Sequence, residues 1–129
     1  MNPLVAEWIS KAEGDFATAR RELRARKDPN FDAVCFHCQQ CAEKYLKALL
    51  QAADVPFGRT HSLVILLDSL LERHPELEMI RGELQALNAY AIHVRYPGES
   101  AHIGVARHAA SLCKTVRKAL RADLSLPAQ

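Results

Sequence analysis

A chain of 129 residues, 49% hydrophobic and 25% charged, has the length and composition of one globular domain that can bury its own core. Seventeen Lys and Arg against fifteen acids leave a net charge of +2, too small to argue for a nucleic-acid partner. No apolar run is long enough to cross a bilayer and Met1–Leu4 opens no secretory signal, so the four cysteines are expected as reduced thiols of a cytoplasmic protein that does not contact membrane.

Five helices and no strand are expected. The first runs from about Pro3 to Arg26, with Val5, Trp8, Ala12, Phe16, Ala19 and Leu23 three or four residues apart. Asn2 suits its cap and Pro3 its first position. After the turn Lys27–Asn30, the second helix spans roughly Phe31 to Ala53, with Phe31, Val34, Cys35, Cys38, Ala42, Tyr45, Leu46 and Leu49 on one stripe. Its wide apolar arc fits either a dimer contact or a deeply buried helix. Thr60 or Ser62 caps a shorter third helix that ends near Arg73, before the breaker His74–Pro75. The fourth carries Leu77, Ile80, Leu84, Leu87, Ala91 and Val94, and Pro97–Gly98 stops it. The fifth runs from about Ser100 to Asp123, with Val105, Ala109, Leu112, Val116 and Leu120 inward. Joined by short turns, these make an all-α, up-and-down antiparallel bundle of four long helices plus a shorter one. Residues 1–124 form the domain and 125–129 a frayed tail.

Charge is unevenly spread. Arg107 to Ala122 holds five basic residues and no acid, whereas Glu72, Glu76, Glu78 and Glu83 make the preceding region acidic. Arg107, Lys114, Lys118 and Arg121 fall on one helical stripe: a solvated face, or a track for a nucleic-acid backbone. Few aromatic residues are interleaved with them, so base-specific readout of single strands is not supported.

The stretch from Arg95 to His102 stands apart. Continuing the fourth helix places Arg95 near the centre of its apolar stripe, and His102 falls within about 40° of the fifth helix's stripe. Both are then expected to point into the bundle seam at its open end. A helix start offers unpaired N–H groups and the positive end of a dipole to a phosphate. Arg95 can grip phosphate oxygens with paired hydrogen bonds. A helix N-terminus disfavours the protonated imidazole of His102 and leaves a ring able to take a proton. A base near a ribose 2′-OH and a guanidinium on the phosphorus oxygens could cut RNA without a metal. A two-fold dimer would add a second His102 as the acid. The alternative is structural, with Arg95 on the last helical carbonyls and His102 as a cap.

Cys35, Cys38 and Cys41 turn by about 60° each on a helix, so the three thiols fan apart and do not converge on one ion. They are read as buried thiols, with Cys113 similar, and no metal or other cofactor is expected.

Several segments together resemble the HEPN domain family. They are Trp8 with Lys11–Phe16, Phe36–Leu50 with its Gln39–Gln40 and Glu43–Lys44 pairs, Arg59–Leu63, and Arg95–Pro97. The resemblance covers nearly the whole chain, from Trp8 to Leu120. It implies a dimerising bundle, often paired with a minimal nucleotidyltransferase as the toxin half of a toxin–antitoxin pair. Many members carry Arg, four to six residues, then His, and act as metal-independent ribonucleases. Arg95 and His102 fit the long end of that range. It also suggests that Glu43, Lys44, Lys47, His61 and Tyr96 contribute to a nucleotide or phosphate groove beside that corner, with Glu43 orienting Arg95. On the residues alone, the polar positions of the second helix are equally a solvated face with an internal ion pair, and His61 a cap. Two departures matter. Tyr96 stands where the active nucleases carry a small polar residue. Gly104 stands where one toxin branch carries a tyrosine that the partner transferase modifies. The Arg-Tyr-Pro form favours the alternative of a non-catalytic nucleotide-binding or partner-binding module.

Overall fold

A computed structural model describes residues 1–127. Its helices are α1 (Pro3–Arg24), α2 (Phe31–Ala52), α3 (Leu63–Asp68), α4 (Arg81–His93) and α5 (Ile103–Asp123), with a 3-10 helix, Pro75–Ile80, leading into α4. There is no strand among the described residues. The starts of α1, α2 and α3 follow ordinary capping chemistry. Asn2 Oδ1 accepts from the Leu4 N–H, Asn30 Oδ1 from Ala33 and Ser62 Oγ from Ile65.

The second helix is central: α1, α3, α4 and α5 all pack against it. From Cys41 to Leu50 only Lys44 escapes burial. This explains the wide arc seen in the sequence, since a helix covered by four others needs apolar or internally paired residues on every side. All four cysteines are free and buried. Burial first, then the Asp32 carboxylate, pushes the Cys35 thiol up to about 11. Hydrogen bonding with Cys113, then burial, holds Cys38 and Cys41 far above the ordinary thiol range.

Several boundaries and one face differ from the expected pattern. The third helix ends at Asp68 because the Leu70 carbonyl takes the N–H groups of Arg73 and His74, and the chain turns there. Leu77 and Ile80 are buried as expected, but on the 3-10 helix rather than on α4. The inward face of α5 is Ala106, Ala109, Cys113, Val116 and Leu120, so Val105 and Leu112 sit at its half-buried edge. The Leu126 N–H donates to the Arg121 carbonyl, and Arg121 Nε donates to the Pro127 carbonyl, folding the chain back over the end of α5. Ala128 and Gln129 lie outside the described residues.

Candidate functional site

At one end of the bundle, α4 stops and α5 begins. Val94 closes α4, and Tyr96–Glu99 makes a turn in which the Glu99 N–H reaches the Tyr96 carbonyl. Gly98 supplies the positive φ of 88° that this Pro–Gly turn requires. The Ala101 N–H then donates to Asp32 Oδ1 at 2.6 Å, which pins the bend to the first turn of α2. Here His102 is the N-cap of α5: its Nδ1 accepts the Gly104 N–H at 3.1 Å. A Cβ on Gly104 would stand 3.0 Å from His102 Cε1, so the glycine lets the ring lie across the helix end.

This corrects the expected orientation of the pair. Arg95 lies beyond the end of α4 and His102 before the start of α5, so neither follows its helix's apolar stripe. Both side chains are exposed rather than turned into the seam. Arg95 makes no side-chain hydrogen bond or ion pair among the described residues. His102 lines a cavity of about 380 Å³ with His93, Tyr90, Val94, Ser100 and Val105 among others, and Arg95 is not in that lining. His93 is a residue that sequence reasoning missed. Its Nε2 lies 2.7 Å from Glu99 Oε2. Its one visible signal was its place two residues before Arg95. Tyr96 is exposed in the turn itself.

The remaining expected groove residues lie elsewhere. Glu43 sits eleven residues beyond Asp32 on α2, about 16 Å along the axis, and does not orient Arg95. Its carboxylate is buried and fully engaged. It takes Lys47 Nζ at 3.1 Å, His61 Nδ1 at 3.2 Å and Gln39 Nε2 at 3.3 Å. Lys47 also lies 5.6 Å from the Trp8 ring centre and 5.8 Å from that of Phe57. The ion pair foreseen on this face therefore exists, but sealed inside rather than solvated, and it ties the 53–62 loop to α2. Lys44 belongs to a different cluster, 2.6 Å from Asp15 Oδ2, with His37 Nδ1 2.7 Å from Oδ1.

Two further groups had gone unnoticed. Glu13 accepts from the Tyr45 hydroxyl and, with both oxygens, from Arg117 at 2.7 Å each. Burial alone would raise its pKa, but the Arg117 and Tyr45 hydrogen bonds outweigh that and hold it below the ordinary value. Arg121, expected on the basic stripe, is buried and donates to the Tyr45 oxygen at 2.9 Å, so it faces no outside ligand. His74 Nδ1 lies 2.9 Å from Asp123 Oδ2 and 3.5 Å from Glu76 Oε1. These three could hold a metal ion, since their ligand atoms all fall within 4.8 Å of one another. A shared proton can serve the same end: burial, then Glu76, raises Asp123 to about 6. In the sequence, His74–Pro75 showed only as a helix breaker.

Three long helices and a short one packed round a buried α2, with a polar bend joining α4 to α5, define a HEPN-like all-α bundle. The profile described as "HEPN domain" matches residues 5–123, so the chain belongs to the HEPN domain family. Its fold is similar to that in the crystal structure of an archaeal HEPN homologue, with a TM-score of 0.67 and 24% identity, covering 93% of this chain and 97% of that one. No curated protein matches the chain. No helix among the described residues is long and apolar enough to cross a membrane.

Proposed function

We propose that this HEPN protein binds RNA or a nucleotide at the α4–α5 bend, with Arg95 and His102 donating hydrogen bonds to its phosphate. The observation that carries the reading is a guanidinium without a partner among the described residues, seven residues from an exposed imidazole whose Nδ1 is already used. With Nδ1 accepting from Gly104, the neutral ring keeps its proton on Nε2, and that N–H is a donor. A donor suits a phosphate oxygen; it does not suit removal of a 2′-OH proton. In this reading Arg95→Ala and His102→Ala each weaken binding of a labelled single-stranded RNA in fluorescence anisotropy. Equal affinity for wild type and both variants sinks it.

A second reading, metal-independent ribonuclease action at the same bend, has one observation in its favour. His93 and His102 line the same cavity, so one chain carries two imidazoles there, with Glu99 holding one of them. His102 becomes a base only after releasing its cap. This reading predicts RNA cleavage in the presence of a chelator, with cyclic 2′,3′-phosphate ends, abolished in His102→Ala. RNA left whole by wild-type protein would remove it. A homodimer, and a minimal nucleotidyltransferase as the partner in a toxin–antitoxin pair, complete this reading. Ile92, Tyr96 and Ile103 are large apolar side chains left exposed at this same end.

A further inference from the structure

The fifth helix meets α1 closely at one level, where Arg117 reaches Glu13, and leaves a groove of about 270 Å³ nearer the bend. Arg20 and Arg24 stand on its α1 wall, and Arg107 and Lys114 on its α5 wall. Its floor is apolar, built from Leu23, Ala110 and the buried Cys38 among others, and no carboxylate lines it. Some of the molecule's cations are neutralised, with Lys44, Lys47, Arg81 and Arg117 each on an acid, while others such as Arg95 stand alone at the surface among the described residues. The four in the groove have no ion-pair partner among the described residues. Arg20 instead lies over the Phe16 ring, 5.3 Å from its centre.

Like charges gathered without counter-charges repel, and an anion between them relieves the repulsion. Their spacing says what kind of anion. Arg20 and Arg24 are about 6 Å apart along α1, and Arg107 and Lys114 about 10 Å apart along α5. Two rows facing each other over that length suit a chain of phosphates better than one ion. The groove's own aromatic ring is already engaged by Arg20 and, at 4.3 Å, by Arg117, so contact runs through phosphate rather than through bases. Arg107 is five residues from His102, about 7 Å along α5, so a strand leaving the groove heads for the bend.

We propose that the α1–α5 groove is a binding track for a chain of phosphates, supplied by single-stranded RNA. The choice of RNA as source rests on the function proposed above; the phosphate chemistry does not. Binding of labelled RNA and of inorganic tripolyphosphate to the intact protein tests the two separately. Arg107→Ala/Lys114→Ala should weaken RNA binding about tenfold or more, and flatten the salt dependence by about 0.7 in log–log slope for each lost contact. Arg24→Glu, on the opposite wall, should weaken it likewise. Arg59→Ala/Arg73→Ala removes the same charge from exposed positions outside the groove and should change little. Thermal melts confirm that each variant is folded.

The track is overturned if the groove variants bind as wild type, if the control pair weakens binding equally, or if poly-glutamate competes as well as RNA. Tripolyphosphate bound through Arg107 and Lys114 by a protein that ignores RNA would uphold the groove and reject RNA as its ligand. RNA binding lost in Arg95→Ala but intact in the groove variants would uphold the bend and reject the groove.

Discussion

Replacing Glu43 with alanine leaves the Lys47 ammonium buried with no carboxylate beside it. The two side chains are 4% and 8% exposed, and their charged atoms lie 3.1 Å apart. At an effective dielectric constant near 20, that separation corresponds to about 5 kcal/mol of attraction, much of it offsetting the cost of drying both groups. Removing one partner of such a pair costs about 3–5 kcal/mol. The Trp8 and Phe57 rings still face Lys47 in the variant, which puts the expected loss at the lower end, about 3 kcal/mol. For a domain of this size the melting temperature should fall by roughly 10 °C. Loss of the hydrogen bonds from Gln39 and His61 should also loosen the 53–62 loop. The assay is thermal and urea denaturation of a double-mutant cycle with Lys47→Met. Outside that cycle, which closes on Glu43→Ala/Lys47→Met, a separate variant Glu43→Leu/Lys47→Met should recover to within about 1 kcal/mol of wild type, because an apolar pair removes both desolvation costs. A loss below about 1 kcal/mol in Glu43→Ala, with no coupling in the cycle, would mean that Lys47 reaches water and that the network is peripheral.

Tyr45→Phe removes a donor to Glu13 and an acceptor from Arg121, and should cost about 2 kcal/mol, read as a lower urea midpoint. Asp123→Asn should act through pH. The folded-state value is raised from 3.8 to about 6, so wild type binds the extra proton between those values. The stability this group contributes is full below the lower value and lost as pH rises through the higher one. Asp123→Asn should therefore gain on wild type in melting temperature as the pH rises from about 4 through 6 and level off above that, and a pH-independent difference would refute the assignment. Gly104→Ala trades a favourable helix propensity of about 1 kcal/mol against a contact 3.0 Å from the His102 ring. Nitrogen NMR should show His102 fixed as the Nε2–H tautomer in wild type and released from it in the variant. Ile92→Glu/Ile103→Glu should leave the fold intact and shift any dimer to monomer by sedimentation, since both side chains are exposed.

Periodicity and local capping were enough to define α1 and α2. Apolar residues three and four apart, Asn2 and Asn30 as caps and Pro97–Gly98 as a stop depend on contacts within a few residues, and these local preferences set α1, α2 and the end of α4. The cysteine stripe was readable for the same reason: three-residue steps on a helix place thiols in the core. The family, too, was legible in residues of α1, α2 and the bend before any fold was known. Partners distant in sequence were not. Glu43 read as a flanking residue because nothing local says that the 53–62 loop closes over it, and only packing turns its pair with Lys47 into a buried network. Arg95 and His102 were assigned to the seam by extending two helices that stop short of them; the Pro–Gly turn and the Asp32 anchor decide where they point. Arg107 and Lys114 were seen on one stripe, while their facing partners Arg20 and Arg24 come from a helix more than eighty residues earlier. Spacing along the chain determines which face a side chain occupies. What stands opposite that face is a matter of long-range packing, and it belongs to the tertiary structure.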